Sequence, residues 1–333
     1  MLNQPRKFTV VWLLFSAVII SIFTILFIRL PGDSMLWRTF QNTGHTPLFG
    51  LIAVAILFIS RALVPGIRNR PLYGYVIAVA VSLVVGVLTE IGQLLTDRNP
   101  SVNDVIRDLI GIVAGLGIYT GIDPKLKPFW GERGSRLQLG TVILSCLLFL
   151  TSLLPLVRMA TVSIQRNLAF PVIVDFRAGW SRPFLQIQHA DLSPVTENRL
   201  SRLVLEPARY PGVSMVEPYP DWSVYNSLAF VIYTTQSHPF RLVLRIHDKL
   251  HNQEHTDRFN RSLLVLQGEN RFRIPLAEIR SAPVGREMVM TQIAGLVIFA
   301  VDIKPPVEFF MGPLLLEYWA IEACYCVLLG VRP

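Results

Sequence analysis

Residues 8–28 of this chain, FTVVWLLFSAVIISIFTILFI, run for 21 positions without a formal charge. A helix rises about 1.5 Å per residue, so such a run crosses an apolar layer of roughly 30 Å. Arg6 and Lys7 precede it as they would in a secretion signal, but the run is too long for one. It also lacks a small-x-small exit, so it reads as an uncleaved anchor. Four more apolar stretches follow, at about 46–60, 72–95, 105–122 and 137–157. Hydrophobic residues make up 52% of the 333 positions and charged ones 16%. With a mean hydropathy of +0.46, this is the composition of a membrane protein. Five spans are expected, in a domain covering residues 1–158.

The net charge of +8 is unevenly placed. Residues 1–159 hold 14 Lys/Arg against 7 Asp/Glu, while residues 160–333 hold 17 against 16. A basic excess confined to the apolar half is a topology signal, and it argues against nucleic acid as a partner. Arg6, Lys7, Arg61, Arg68, Arg70, Lys125, Lys127, Arg133 and Arg136 flank one side of the five spans. Arg29, Arg38, Arg98 and Arg107 flank the other. Nine against four puts the amino terminus in the cytoplasm, and an odd number of spans puts everything after about residue 158 outside. Three cysteines, with Cys324 and Cys326 two residues apart, are no disulfide framework.

After Pro171 the pattern changes. Segments such as SLAFVIYTT, FRLVLRIHD and GLVIFAVD alternate apolar and polar residues between Gly, Pro and Asn turns. A period of two over short runs predicts an extracytoplasmic all-β sandwich over residues 165–322. The apolar stretch near the end is interrupted by Glu317 and Glu322, so its first part is expected as a closing strand and no sixth span is expected.

Ionisable groups interrupt the apolar helices at one level. Ser82, Gly86, Glu90, Gln93 and Asp97 share one helical face, as do Asp104, Asp108, Gly111 and Gly115 on the next helix. Ionised groups near lipid cost roughly 2.5–3.5 kcal/mol each at a helix centre, so the two stripes are expected to face each other, with the glycines permitting close approach. His45, at the head of the second expected span, joins them at the same depth. The expected polar pocket is His45, Glu90, Gln93, Arg98, Asp104 and Asp108, with His45, Glu90 and Asp104 as candidate catalytic residues. A purely structural network is the alternative, with Glu90 paired to Arg98 and Asp104 capping its helix. No cofactor motif occurs, and no metal is expected.

The run TEIGQLLTDRNPSVNDVIRDLIG, with Glu90, Gln93, Arg98, Ser101, Asp104 and Gly111 in order behind His45, resembles the VanZ-like membrane family over about residues 40–122. That family often has Asp-Lys shortly before its His, where this chain has Gln41 and Asn42, and Asn where this chain has Asp108. The resemblance implies a protein of the bacterial envelope, in the cytoplasmic (inner) membrane, with a link to glycopeptide antibiotic tolerance. Residues 244–300, beginning LRIHDKLHNQEHTDRF, resemble the galactose-binding-like jelly-roll sandwiches of family 11 carbohydrate-binding modules. Trp180, Trp222 and Tyr225 are candidates for stacking on sugar rings, set against a role as core or rim residues. His247, Asp248, His251, His255 and Asp257 crowd one expected loop, which reads as solvated because zinc needs a closed ligand set.

Three functions are compatible with these features. The first is recognition of an envelope glycan or glycolipid by the polar pocket and the sandwich. The second is a membrane-embedded enzyme acting on a lipid-linked substrate, with His45 and Glu90 as acid and base. The third is a small-solute transporter, which is disfavoured by the single depth of the polar cluster.

Overall fold

A computed structural model describes residues 4–27, 34–68, 70–94, 101–194 and 200–318. Two compact units divide at Ala160: Met1–Ala160 and Thr161–Pro333.

The first unit is helical. Its elements are α1 (Gln4–Phe27), α2 (Met35–Leu63), α3 (Pro65–Arg68), α4 (Pro71–Gln93) and α5 (Val102–Thr120), followed by α6 (Lys127–Ala169), which runs past the division. The helix that contains the second expected span is longer than that span. The Ser34 side chain caps α2 by accepting from the Trp37 amide at 3.3 Å, and the helix passes straight through Pro47. Pro47 therefore lies inside α2, not in a first turn, and His45 lies within the helix instead of opening it. Proline removes one intrahelical donor, a cost that packing on both sides of α2 offsets. Ser101, not Asp104, caps α5, accepting from the Asn103 amide at 3.2 Å. The core gathers Phe49, Ile52, Ala53 and Leu57 of α2 with Ala78 of α4 and Ile112 and Leu116 of α5.

Among the described residues three helical stretches are long and apolar enough to cross a membrane: Met35–Leu63, Pro71–Gln93 and Gly134–Ala169. The other two expected spans coincide with α1, whose apolar part is Thr9–Thr24, and with α5, which carries Asp104, Arg107 and Asp108.

The second unit is a β-sandwich. Its strands are β1 (Val172–Val174), β2 (Leu185–Gln188), β3 (Ala190–Pro194), β4 (Ser201–Leu205), β5 (Gly212–Met215), β6 (Ser227–Thr234), β7 (Phe240–Asp248), β8 (Phe259–Val265), β9 (Gly268–Pro275), β10 (Ile293–Phe299), β11 (Val307–Met311) and β12 (Leu314–Glu317). A short helix, α7 (Leu276–Arg280), follows β9. One sheet has the order β1-β12-β6-β11-β4-β3, with β9 also paired to β6; the other has β2-β5-β10-β7-β8. Every pairing is antiparallel, with registers such as Leu296↔Ile246 and Phe230↔Phe272. Alternation drives the burial, because successive side chains leave a strand on opposite faces. Leu242, Leu244 and Ile246 of β7 are buried, while Arg241, Val243 and Arg245, which alternate with them, are not. Phe240 of one sheet meets Phe309 of the other with ring centroids 5.9 Å apart, and Phe184, Leu203, Leu205 and Phe309 are fully or almost fully buried. Glu317 ends β12, as expected for a closing strand; most of the remaining apolar stretch lies outside the described residues.

Candidate functional site

In the helical unit, close backbone approach sets the geometry. A Cβ on Gly111 would lie 2.2 Å from the Thr46 carbonyl oxygen, and one on Gly115 would lie 2.6 Å from the Gly50 Cα. Only hydrogen fits at these crossings, so α2 and α5 touch backbone to backbone. Gly86 of α4 likewise leaves room for the Asp108 carboxylate and the Phe49 ring. The result brings polar groups of three helices together. His45 Nδ1 and Asp108 Oδ1 are 2.9 Å apart, and the His45 ring stacks on Phe49 one turn on. Glu90 Oε2 accepts from the Ser101 amide at 2.9 Å, and Asp104 forms an ion pair with Arg107. Asp108 is 0% exposed, Glu90 5% and Gln93 4%.

The structure therefore brings His45, Glu90, Asp104 and Asp108 together; Gln93 is buried one turn along α4 from Glu90, and Arg98 lies outside the described residues. The expected Glu90–Arg98 pair lies outside the described residues, and the pairs that are described involve other groups. Asp108 is the partner of His45, and the Ser101 amide is the partner of Glu90, so the proposed acid and base are each bonded to a different group. Arg107, read from sequence only as a flanking charge, is the cation beside Asp104. Sequence reasoning also missed a second buried cluster. Arg61 Nη2 donates to Asp123 Oδ2 at 2.8 Å, Tyr75 Oη donates to the same oxygen at 2.9 Å, and the guanidinium lies over the Tyr75 ring. From sequence Arg61 is one of the basic residues flanking the spans. The usable signal was an acid just past the end of α5 and a base in the last turn of α2.

In the sandwich, the aromatic candidates fare unevenly. Trp222 is 0% exposed and donates its indole N–H to the Tyr219 carbonyl, so it is a core residue and presents no face to a sugar. Tyr225 lies between Phe170, which it meets edge-on, and the tilted ring of Tyr318, while Trp180 is half-buried. The histidine-rich loop is not simply solvated. Arg286 donates to both oxygens of Asp248, at 2.7 and 2.8 Å, and to Asp257 at 2.5 Å. His255 alone of the five projects into solvent as expected. Arg286, with help from the Asn252 amide, holds the Asp257 carboxyl down at about 2. Burial pushes Asp248 the other way, yet Arg286 and the Val289 amide outweigh it and the net direction is down.

Both outward sheet faces carry grooves. The larger, about 840 Å³, lies on the seven-stranded sheet beside Tyr233, and its charges are paired with each other: Arg273 with Glu317 and Arg271 with Glu269. The smaller, about 430 Å³, crosses β2, β5, β10 and β7 and is lined by Gln188, Tyr210, Ser214, Arg245, Arg258 and Phe299. Among the described residues neither Arg245 nor Arg258 has a carboxylate partner, and the Nε atom of each is buried without a hydrogen bond. His247 Nδ1, on the same sheet face, is in the same state. Burial and then the neighbouring Arg258 charge lower Arg245 from the usual arginine range. Burial, followed by His251 and Arg245, holds His247 near 4. Volume alone favours the first groove; unspent donors favour the second.

Neither a protein-family model nor a curated protein matches the chain. Solved structures do match over the β half. A family 11 carbohydrate-binding module from Clostridium thermocellum, in complex with a β-1,3-1,4-mixed-linked tetrasaccharide, is 15% identical with a TM-score of 0.32. The match covers 40% of this chain and 84% of that one. A non-crystalline-cellulose-specific module, CBM28, is 10% identical with a TM-score of 0.33, covering 45% and 95%. The agarase AgWH50C is 15% identical with a TM-score of 0.35, covering 44% of this chain and 26% of its own, so the chain spans about a quarter of that enzyme.

Proposed function

We propose that this chain is a membrane protein of the bacterial envelope whose sandwich recognises a saccharide bearing anionic groups, on the outward face of its five-stranded sheet. One observation carries the reading: Arg245, whose guanidinium lies over the Phe299 ring, and Arg258 line a groove with buried Nε atoms that lack a hydrogen bond, and among the described residues neither has a carboxylate partner. A guanidinium in that state is incomplete, because buried donors cost free energy until paired. A carboxylate or phosphate completes it with charge-assisted hydrogen bonds. Tyr210, 47% exposed at the same groove, offers an aromatic face to a sugar ring, and Gln188 and Ser214 offer hydroxyl-scale hydrogen bonding. The test is calorimetry of the purified protein with oligogalacturonate and with neutral cello-oligosaccharide. Oligogalacturonate is expected to bind, more weakly at high salt, and Arg245→Ala is expected to weaken it at least tenfold. Binding of the neutral sugar alone would remove the anionic part of the reading, and binding of neither would remove the whole.

Membrane residence is part of the same proposal. Leu13, Ile20, Leu51, Val76, Val84, Leu88, Leu144 and Leu154 project from the helices, each more than half exposed, and a girdle of that kind is costly in water. The VanZ-like motif residues, and with them an effect on glycopeptide tolerance, belong to this reading through the sequence resemblance. The basic asymmetry supports an extracytoplasmic sandwich. Alkaline phosphatase fused after residue 165 is then expected to be active and a fusion near residue 66 inactive. The opposite pattern would place the groove in the cytoplasm, away from envelope glycans.

A further inference from the structure

We infer that the cluster where α2, α4 and α5 meet is a divalent-metal site, with His45 Nε2, Glu90 Oε1 and an Asp104 oxygen as ligands. One ligand atom from each of His45, Glu90 and Asp104 lies within 4.8 Å of the other two, and among the described residues this is the one such group. The three side chains come from three helices, so the grouping is a product of packing.

Each of them is held by one atom, and among the described residues no hydrogen bond engages the other. His45 gives Nδ1 to Asp108, leaving Nε2; a carboxylate behind a ligating imidazole is how such ligands are usually oriented. Glu90 gives Oε2 to the Ser101 amide, leaving Oε1, which has no partner although the residue is 95% buried. Asp104 gives Oδ1 to Arg107, leaving Oδ2. An unpartnered carboxylate oxygen at that depth is unfavourable as it stands, and a cation satisfies it. The charge balance agrees. Glu90, Asp104 and Asp108 bring three carboxylates, against which Arg107 is the one guanidinium paired among the described residues.

The donor set selects the ion. One imidazole with two carboxylates suits zinc or another borderline transition metal better than calcium or magnesium, which favour oxygen alone. Zinc ligands lie at about 2.0–2.2 Å, so neighbouring tetrahedral ligands are about 3.4 Å apart. The present spread is within 4.8 Å, so binding would draw the ligand atoms closer. Three protein ligands leave a coordination position open to water or to an anionic group. Asp108 is a positioning residue, since it would reach the metal only through His45.

The experiment uses the full chain in detergent, stripped with chelator and re-equilibrated with zinc or cobalt(II). One zinc per chain is expected by elemental analysis, and a tetrahedral cobalt spectrum without sulfur charge-transfer bands. His45→Ala and Glu90→Gln are expected to abolish stoichiometric binding. Asp108→Asn should weaken it about 10–100-fold, with the folded fraction checked by gel filtration. His251→Ala in the sandwich is expected to leave binding unchanged. Wild-type protein without stoichiometric metal would overturn the assignment, as would metal that persists in both His45→Ala and Glu90→Gln. If a variant fails to accumulate, the wild-type cobalt spectrum decides alone: octahedral or absent bands overturn the site.

Discussion

Arg286→Met is expected to destabilise the sandwich by about 3 kcal/mol, at the low end of the cost of breaking a buried ion pair because the Arg286 side chain is 26% exposed. The loss falls on Asp248, whose side chain is 0% exposed and which accepts two of the guanidinium's hydrogen bonds. Methionine keeps an unbranched apolar stem and removes every donor. The urea midpoint of the isolated unit Thr161–Pro333, which should give a β-dominated circular-dichroism spectrum, measures the effect. The pH dependence has a definite sign. Asp257 is depressed to about 2 from the ordinary 3.8, and Asp248 is depressed as well. A carboxyl whose folded pKa lies below its unfolded one contributes stability above the unfolded value and loses it as pH falls through the folded value. Wild-type stability should therefore decline between about pH 4 and 2, and Arg286→Met should flatten that limb. A midpoint and acid limb equal to wild type would show that Arg286 does not hold the loop.

Gly111→Val is expected to disrupt the helical unit, by roughly 3 kcal/mol or more. The added Cβ would sit 2.2 Å from the Thr46 oxygen, where real contacts essentially never fall below 3.0 Å, and the obstacle is backbone that cannot rotate away. The helices must separate, drawing His45 on α2 away from Asp108 on α5. Gly44→Ala is the control on the same α2 helix. Its Cβ would meet nothing within 4 Å, and alanine is the better helix former by up to about 1 kcal/mol. Thermal unfolding in detergent should show a large drop for the first substitution and none for the second. Equal melting of Gly111→Val and wild type would mean that α2 and α5 do not cross at this residue.

Much of this architecture was legible in the chain itself. Apolar runs of span length between basic flanks predict helices, and strict alternation after Pro171 predicts strands, because periods of 3.6 and 2 are imposed by backbone geometry. The shared polar stripes of Glu90, Gln93, Asp104 and Asp108 followed from the same periodicity. The start of α2 did not. Hydropathy falls away between Met35 and Gly44, where Arg38, Gln41 and Asn42 stand, yet backbone hydrogen bonds continue from the Ser34 cap.

Pairing, by contrast, was decided by tertiary structure. His45 and Asp108 are 63 positions apart, Arg61 and Asp123 62, and Arg286 and Asp248 38. No local period links such residues; the glycine-mediated crossing of α2 and α5 and the loops bordering β7 do. Trp222 was open to both a sugar-stacking and a core reading, and packing decides for the core, because an indole's burial depends on what lies over it. Arg245 and Arg258 carry no signal in the sequence, and only tertiary structure sets them in one groove where, among the described residues, neither has an acid to pair with. The chain's periodicity determined which elements form and which face of each is polar, since both follow from backbone geometry. Which polar groups meet, and which are left with an unspent donor or acceptor, depended on long-range packing.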